Sequence, residues 1–465
     1  MSRHDLAPLL ALTLVLASPI AAGEGPPDPC AAARVTIPYR MRTLPNGLVV
    51  VVHEDRSTPV ASVNTWYHVG SGRETPGRTG LAHFFEHVMF GGSANVPEGM
   101  FDRWLEAAGG DNNGSTDSDR TNYFEDVPSN AVELALFLEA DRMATLASVL
   151  TKERMDQQRD VVKNERRQAY ENAPYGMAPI LLAEALFPEG HPYRWPTIGS
   201  MEDLSAATAE DARAFFRNWY GPANASVVIA GDVEPEAAFA MAARWFGEIP
   251  PGTAHEPPAP RPVKLEREKR LVLEDDVELP RLYLSWPLPH RLAPAIPALE
   301  SAAAILADGK SSRLYRRLVY ELAVALDVSA DVFPGALAST FDVTVTARPG
   351  HGLSEVARLV DEEVARLAAE PPSEREVARA ANQWEAALLS GLERVGGFGG
   401  KADTLNSYLV TTGNPDYAAE DLAAHRAVAP SDVSLAAATW LGAGRASLSV
   451  VPKGKRDLAL PEVAK

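Results

Sequence analysis

The feature that most constrains this chain is an internal repeat. The segment Trp219-Tyr-Gly-Pro-Ala-Asn-Ala-Ser-Val-Val-Ile recurs as Trp440-Leu-Gly-Ala-Gly-Arg-Ala-Ser-Leu-Ser-Val, and Asp211 and Asp432 stand at the same distance before the two tryptophans. In both copies a helical stretch leads through a glycine turn into a β-branched strand. The chain has 465 residues, enough for about three domains or two large ones. The ordered matches at a nearly constant offset predict two related halves.

A proline-rich stretch between the copies predicts a linker. Residues 249–262 read Ile-Pro-Pro-Gly-Thr-Ala-His-Glu-Pro-Pro-Ala-Pro-Arg-Pro, a composition that favours an extended, semi-rigid chain. We therefore expect an N-terminal domain over residues 35–248 and a related C-terminal domain over residues 263–465. Within each half, runs of strands followed by runs of helices predict an α+β fold.

Local patterns place the first elements. Leu48–Val52 follows the turn Pro45-Asn-Gly47 and precedes a second strand near Val60–Val69, an order that predicts an antiparallel pair. Helical patterns then occupy four segments, which are Gly80–Met89, Glu98–Ala108, Asn130–Leu146 and Thr151–Tyr170.

The first residues have the layout of an export signal. Leu6–Ala17 is a mainly apolar run, and small residues follow at Ala21 and Ala22. This pattern is typical of a secretory signal peptide over residues 1–22, and residues 23–34 read as a spacer. The run is shorter than the roughly 20 apolar residues that span a bilayer. We therefore expect a periplasmic or secreted protein with no integral membrane segment after cleavage.

Charge and cysteine content exclude two classes of function. Lys and Arg number 44 against 62 Asp and Glu, which gives a net charge of −18. Such a charge repels phosphate backbones, so we expect no nucleic-acid partner. Cys30 is the only cysteine, so one chain can form neither an internal disulfide nor a cysteine-based metal cluster. Any metal must be held by histidines and carboxylates.

One segment combines residues suited to metal chemistry. Leu81-Ala-His-Phe-Phe-Glu-His-Val-Met-Phe90 contains His83, Glu86 and His87. On a helix the two histidines lie one turn apart on one face, where both imidazoles can bind one metal ion. Glu86 lies on the same side and can accept a proton from a metal-bound water. Since only about 0.03 such matches are expected by chance in this composition, a helix with two merely buried histidines is the weaker interpretation.

Zinc is the metal that this donor set favours, because imidazole and carboxylate ligands with an open fourth position are typical of catalytic zinc. A third ligand is required. The strongest candidate is Glu165, which lies well downstream of His87 in Arg159-Asp-Val-Val-Lys-Asn-Glu-Arg-Arg-Gln168. Taken alone, that residue is one acid on a charged helix.

The motif His-x-x-Glu-His followed by Val-Val-x-Asn-Glu resembles the pitrilysin/insulinase family of zinc metallopeptidases. The likeness is to its short two-domain bacterial members, which are similar to the beta subunit of the mitochondrial processing peptidase. Further matching segments run through about residues 35 to 455, and they are Thr43–Gly47, Gly110–Tyr123, Asn172–Gly176, His191–Tyr193, Gly231–Asp232, Ser311–Tyr315 and Gly396–Gly400.

The resemblance implies a fold, a site and an activity. The fold would be two homologous halves, each a mainly antiparallel sheet covered by helices, that form half of a clamshell chamber. One Zn²⁺ per chain would be bound by His83, His87 and Glu165, and zinc-bound water activated by Glu86 would hydrolyse extended or unfolded peptides. Asn113 would lie near an edge strand that pairs with the peptide substrate.

The sequence also departs from the family pattern. Gln158 stands where many active members carry a further glutamate, and Val319 and Leu326 align with an Arg/Tyr pair that active members need. Other candidates for that pair lie nearby at Arg316, Arg317 and Tyr320. The second half has no His-x-x-Glu-His, and its equivalent segment lies near Ser301–Gly309. We therefore expect a homodimer, or a heterodimer with a paralogous subunit that carries the pair.

Two other functions remain open at this point. One is a non-catalytic structural or partner subunit of the same fold, and the other is a periplasmic zinc-binding protein. An intact Glu86 between two ligands favours the peptidase, because a structural subunit does not require that glutamate.

Overall fold

A computed structural model describes residues 35–461 of the chain, so the expected signal peptide and spacer lie outside the described residues. No helix among residues 35–461 is long and apolar enough to cross a membrane. The strands are β1 (Arg40–Thr43), β2 (Val49–Glu54), β3 (Val60–Tyr67), β4 (Asp111–Thr116), β5 (Thr121–Pro128), β6 (Ala225–Gly231), β7 (Lys269–Asp275), β8 (Arg281–Leu288), β9 (Ala325–Phe333), β10 (Ser339–Ala347) and β11 (Ala446–Pro452).

Fourteen α-helices surround these strands within residues 35–461. They are α1 (Leu81–Val88), α2 (Met100–Ala107), α3 (Val132–Val149), α4 (Lys152–Arg166), α5 (Ala178–Leu186), α6 (Met201–Ala206), α7 (Ala209–Trp219), α8 (Pro235–Phe246), α9 (Ile296–Ala307), α10 (Leu353–Ala369), α11 (Glu374–Leu392), α12 (Lys401–Thr412), α13 (Ala418–Arg426) and α14 (Pro430–Trp440). The four predicted helical segments correspond to α1–α4, and α4 continues into a π-helical turn at Arg167–Glu171.

The strands form two sheets of similar design. The first has the order β1-β2-β6-β3-β5-β4 and the second the order β7-β11-β8-β10-β9. Each contains one parallel pair, β2 with β6 and β7 with β11, and its other neighbouring strands run antiparallel. The expected α+β class with two mainly antiparallel sheets is confirmed.

The expected antiparallel pair between Leu48–Val52 and Val60–Val69 is wrong. Strand β6 lies between β2 and β3 and pairs with both. Every residue of β6 is buried, so this apolar strand belongs at the centre of the sheet, although it is far away in sequence. The turn at Pro45–Gly47 instead joins β1 to β2.

The repeat predicted from sequence is visible in the elements. Strands β3 and β8, helices α3 and α10, helices α7 and α14, and strands β6 and β11 are each separated by the same offset as Trp219 and Trp440. Residues 250–265 between the two sheets contain neither helix nor strand. The domain boundaries at residues 248 and 263 stay a prediction.

The two halves exchange one helix each. Helix α5 of the first half packs on β8 and β11 of the second sheet, and helix α12 of the second half packs on β3 and β6 of the first. The residues that meet in these two shared clusters include Leu182, Leu186, Leu448 and Val450 in one, and Val51, Val228, Ala402 and Leu405 in the other. Each half therefore completes the core of the other. Helices α1, α3 and α8 pack against strands of the first sheet as well.

Candidate metal centre

The start of helix α1 is fixed by a buried glutamate. Gly80, which precedes the helix, has a left-handed φ of 92°, and a Cβ there would lie 2.9 Å from the carbonyl oxygen of Ile198. The carboxylate of Glu74 accepts hydrogen bonds from the backbone N–H of Gly80 at 2.8 Å and of Ala82 at 2.7 Å. These bonds satisfy two of the N–H groups that the start of a helix leaves without partners.

The apolar face of α1 decides which way its polar residues point. Phe84, Phe85 and Val88 are buried in the core of the first half. The hydroxyl of Tyr123, in β5, donates to the carbonyl oxygen of Phe85 at 3.3 Å. With that face packed inward, the histidines of α1 are left on the side where α1 contacts α4.

Helix α4 brings the predicted third donor to the histidines. Its N-terminus is capped by Thr151, whose side chain accepts from a backbone N–H of the first turn. Glu165 lies in its last turn, with one carboxylate oxygen 3.6 Å from Nε2 of His83 and the other 3.1 Å from Nε2 of His87. The three donor atoms lie within 4.8 Å of one another, and within residues 35–461 no other set of three His, Cys, Asp or Glu residues converges in this way.

The protonation states of these groups suit a metal. Burial lowers the pKa of His83, although the carboxylates of Glu165 and Glu86 act in the opposite direction. Hydrogen bonding to His87 lowers the pKa of Glu165. Neutral imidazole and ionised carboxylate are the forms that bind metal ions.

The orientation of His83 also fits a metal ligand. Its Nδ1 is buried and has no hydrogen-bond partner among the described residues, while its Nε2 faces Glu165. The rings of His83 and His87 lie 4.8 Å apart between centroids, at an angle of 77°. Two imidazoles and a carboxylate from two helices therefore form a donor set that fits zinc.

Glu86 lies on the same helix, next to His87. Its side chain is partly exposed and close enough to His83 to affect the pKa of that histidine. It forms no hydrogen bond or ion pair with any residue of the described chain. Its carboxylate is therefore free to accept a proton from a bound molecule.

Asn113 lies on β4, the edge strand of the first sheet, and is exposed. Its Oδ1 accepts a hydrogen bond from the backbone N–H of Gly114 at 2.8 Å. Strand β4 packs against α1, so this sheet edge runs beside the helix that carries the histidines.

Gln158, on α4, lines a small cleft with Val88 and Gly91 at the end of α1 and is not one of the three converging donors.

The segment aligned with the Arg/Tyr pair is apolar at both positions. Val319 packs against the core of the second half, and Leu326 is 45% exposed on the edge strand β9. Of the nearby candidates, Arg316 and Arg317 are engaged in ion pairs with glutamates. Tyr320 is 82% exposed.

Comparison with known proteins places this chain in a family. The family model described as "Insulinase (Peptidase family M16)" matches residues 49–191, and the model described as "Peptidase M16 inactive domain" matches residues 206–384. The "Uncharacterized zinc protease ML0855" of Mycobacterium leprae is 30% identical over 359 residues, which cover 76% of this chain and 78% of that protein. The chain belongs to the insulinase family, peptidase family M16.

Two further matches support the same family assignment. The "Zinc protease PqqE" of Helicobacter pylori is 33% identical over 283 residues, which cover 60% of this chain and 63% of that protein. The crystal structure of a protease from Helicobacter pylori superposes with a TM-score of 0.83 at 26% identity, covering 90% of this chain and 100% of that one. The expected family is thereby confirmed. The inactive-domain model falls mainly on the second half, which lacks His-x-x-Glu-His.

Proposed function

We propose that this chain is a zinc-dependent endopeptidase that hydrolyses extended or unfolded peptides, with one zinc ion per chain. The observation that carries the proposal is the convergence of His83, His87 and Glu165 from two helices, with the carboxylate of Glu86 free beside them. Two M16 relatives are named zinc proteases, which supports the choice of metal.

The residues of the site have different roles in the proposed hydrolysis. Zinc held by His83, His87 and Glu165 would supply a Lewis acid that polarises the peptide carbonyl and acidifies water. Glu86 accepts the proton of the attacking water and returns it to the amide nitrogen that leaves. The packed side of α1 holds Glu86 and the two histidines in fixed relative positions, so little reorganisation is needed during the reaction.

The edge of the first sheet supports binding of extended peptides. A peptide can add to β4 as a further strand, through main-chain hydrogen bonds that read little of its side-chain sequence. Asn113 is exposed on that strand and contacts such a peptide in this proposal. This mode of binding suits substrates of varied sequence.

Metal analysis tests the ligand set. We expect about one zinc per purified chain, and we expect Glu165→Gln to weaken zinc binding strongly, because a neutral amide replaces an ionised ligand. Glu153→Gln is the matched control, since Glu153 lies in the first turn of the same helix. Equal zinc affinity in wild type and Glu165→Gln would show that Glu165 is not a zinc ligand.

We further propose that the chain works as a dimer, with a second subunit that contributes an Arg/Tyr pair to the site. Val319 and Leu326, which align with that pair, offer no polar group for substrate contacts. Activity should therefore appear when the chain is purified together with a paralogous subunit, and the separated monomer should be much less active. Full peptidase activity from the isolated monomer rejects this part of the proposal.

Export to the periplasm or secretion is also proposed. Its support is the signal-peptide pattern of residues 1–22. Fractionation of cells that express the full chain, combined with N-terminal sequencing of the mature protein, tests it. Uncleaved protein confined to the cytoplasm contradicts it.

A further inference from the structure

A cavity of about 470 Å³ lies where the two halves meet. Both halves contribute equivalent parts to it, since its walls include the turn between β4 and β5 (residues 118–120) and the loop between β9 and β10 (residues 336–337). Part of the proline-rich linker, residues 257–261, also lines it. The volume falls within the roughly 300–1,000 Å³ of small-molecule sites. None of the candidate zinc ligands lines it.

The cavity is cationic although the chain as a whole carries a net charge of −18. Four arginines line it, and the only carboxylate among its lining residues is that of Asp119. Arg291 pairs with Asp119, and Arg120 pairs with Asp117 outside the lining. The other two arginines, Arg73 and Arg261, have no carboxylate partner within ion-pair distance in the described part of the chain.

The guanidinium of Arg73 is held in place by contacts that do not neutralise its charge. Its guanidinium donates to the carbonyl oxygen of Glu256 at 3.0 Å and lies 5.4 Å from the ring centroid of Trp219. Burial lowers the pKa of Arg73, although Asp119 acts to raise it. A cation that is partly buried without a paired anion is costly, and an anionic ligand in the cavity removes that cost.

Two further arginines offer donors. The backbone N–H of Arg261 donates to the carbonyl oxygen of Leu337 at 2.8 Å, which fixes the linker against the second half, while its side chain is exposed and without a partner in residues 35–461. The Nε of Arg291 is buried and has no acceptor among the described residues. Since arginine recognises carboxylate and phosphate groups through several N–H donors at once, these groups are suited to an oxyanion.

We infer that this cavity binds a small molecule with two or more anionic oxygens, either carboxylate or phosphate. The linker prolines and Trp66 provide apolar walls for its carbon skeleton. Because proline fixes the backbone, this wall is preorganised and little conformational entropy is lost on binding. The site is separate from the metal centre, so the inference does not depend on the proposed peptidase activity.

Isothermal titration calorimetry on the full mature chain at low ionic strength tests the inference, with succinate and pyrophosphate as probes. We expect saturable 1:1 binding of at least one probe, weakened at least tenfold in the double variant Arg73→Gln/Arg261→Gln and weakened by added salt. The probe that binds more tightly identifies carboxylate or phosphate as the natural group. Zinc content measured before and after titration checks that neither probe acts by removing the metal.

Two single variants distinguish the loss of ligand contacts from an effect of misfolding. Arg261→Gln removes no side-chain hydrogen bond or ion pair within the described residues and should still weaken binding several-fold. Arg375→Gln is the matched control, because the side chain of Arg375 is exposed like that of Arg261 but does not line the cavity. The inference is overturned if neither probe shows saturable binding, or if the Arg73→Gln/Arg261→Gln chain binds as the wild type does.

Discussion

At the scale of single residues, the molecule uses burial and close charges to set protonation states. The same principle operates in both halves, with different results. In the first half, burial favours neutral His83 while Glu165 keeps its charge. In the second half, the hydrogen bonds that His425 makes with carboxylates outweigh the effect of its burial. The first arrangement suits metal binding, and the second is an ion pair between a buried histidine and partly exposed carboxylates.

His425 should make stability depend on pH. Its ring stacks on Trp384 at 3.7 Å, and its Nε2 lies 2.5 Å from Glu300. Burial disfavours its charge, but hydrogen bonds to Asp421 and Glu300 raise the pKa of His425 to about 9 from 6.5. Because the folded-state pKa is the higher one, this stabilisation is fully present below about pH 6.5 and is lost as pH rises through 9.

We expect the wild type to lose up to about 3 kcal/mol of unfolding free energy through this group between pH 6.5 and 9.5. Chemical denaturation at several pH values measures it, with His425→Gln as the control that lacks the titrating ring. Parallel pH dependence of the two proteins would show that His425 is not stabilised as a cation.

Glu74 is predicted to support the metal centre without touching it. Glu74→Ala removes the acceptor for two backbone N–H groups at the start of α1, which should cost about 1–3 kcal/mol of unfolding free energy. Since α1 carries both histidines, we also expect zinc affinity to fall on the order of tenfold. Denaturation curves and zinc titration give the two values.

Glu234→Ala is the control for this effect. Glu234 caps α8 through the N–H groups of Glu236 and Ala237, and that helix carries none of the metal donors. The control should lose some stability and keep its zinc affinity. If Glu74→Ala and Glu234→Ala lose zinc affinity equally, the loss is caused by general destabilisation and not by the contacts of Glu74 with α1.

The residues of the site differ in how far sequence could predict them. His83, Glu86 and His87 share one short helix, so helical spacing alone brings them together. Glu165 lies on a different helix, far from His87 in sequence, and only the family resemblance singled it out from the other acids of α4. Glu74 went unpredicted because its partners are backbone N–H groups, which leave no mark in the side-chain pattern.

At the scale of elements, local periodicity predicted helices well and strand neighbours poorly. Helices α1–α4 follow from apolar spacing within each segment. The position of β6 between β2 and β3 depends on contacts between strands that are far apart in the chain, and periodicity carries no information about them. The exchange of α5 and α12 was missed for the same reason, because an amphipathic helix does not specify which sheet it covers.

The exchanged helix α12 should be essential to the first half. Leu405 of α12 is fully buried in the cluster it shares with Val51 and Val228. Leu405→Ala should therefore cost about 2–5 kcal/mol of unfolding free energy. Leu435→Ala is the control, since Leu435 is 67% exposed on α14, and it should change stability by no more than about 0.5 kcal/mol. If urea denaturation shows a similarly small loss of unfolding free energy for Leu405→Ala and Leu435→Ala, the packing of α12 on the first sheet is contradicted.

At the scale of the whole molecule, the helix exchange joins the two halves through shared cores. Within the described chain, residues 36–461 form a single compact unit. Duplication by itself is compatible with two separable domains, and the sequence predicted boundaries at residues 248 and 263 on that basis. The predicted boundaries follow the repeat along the sequence, whereas the shared cores contain residues from both sides of them.

Neither half should fold alone. A fragment of residues 35–262 lacks α12, so Val51 and Val228 of the first sheet lose their cover. We expect this fragment, and the fragment of residues 263–461, to lack cooperative unfolding by calorimetry, and co-expression of both to restore a soluble complex. A cooperative transition of the isolated first fragment near that of the full chain would show that the halves are independent.

The most direct test of the account replaces the proposed proton acceptor and leaves the metal ligands in place. Glu86→Gln preserves the size of the side chain, and Glu86 has no partner to lose within the described chain. Under conditions in which wild type cleaves an unfolded peptide, we predict one zinc per chain in both proteins and a loss of cleavage rate of about 10²–10⁴-fold in the variant. Unchanged cleavage by zinc-loaded Glu86→Gln would contradict the proposed mechanism.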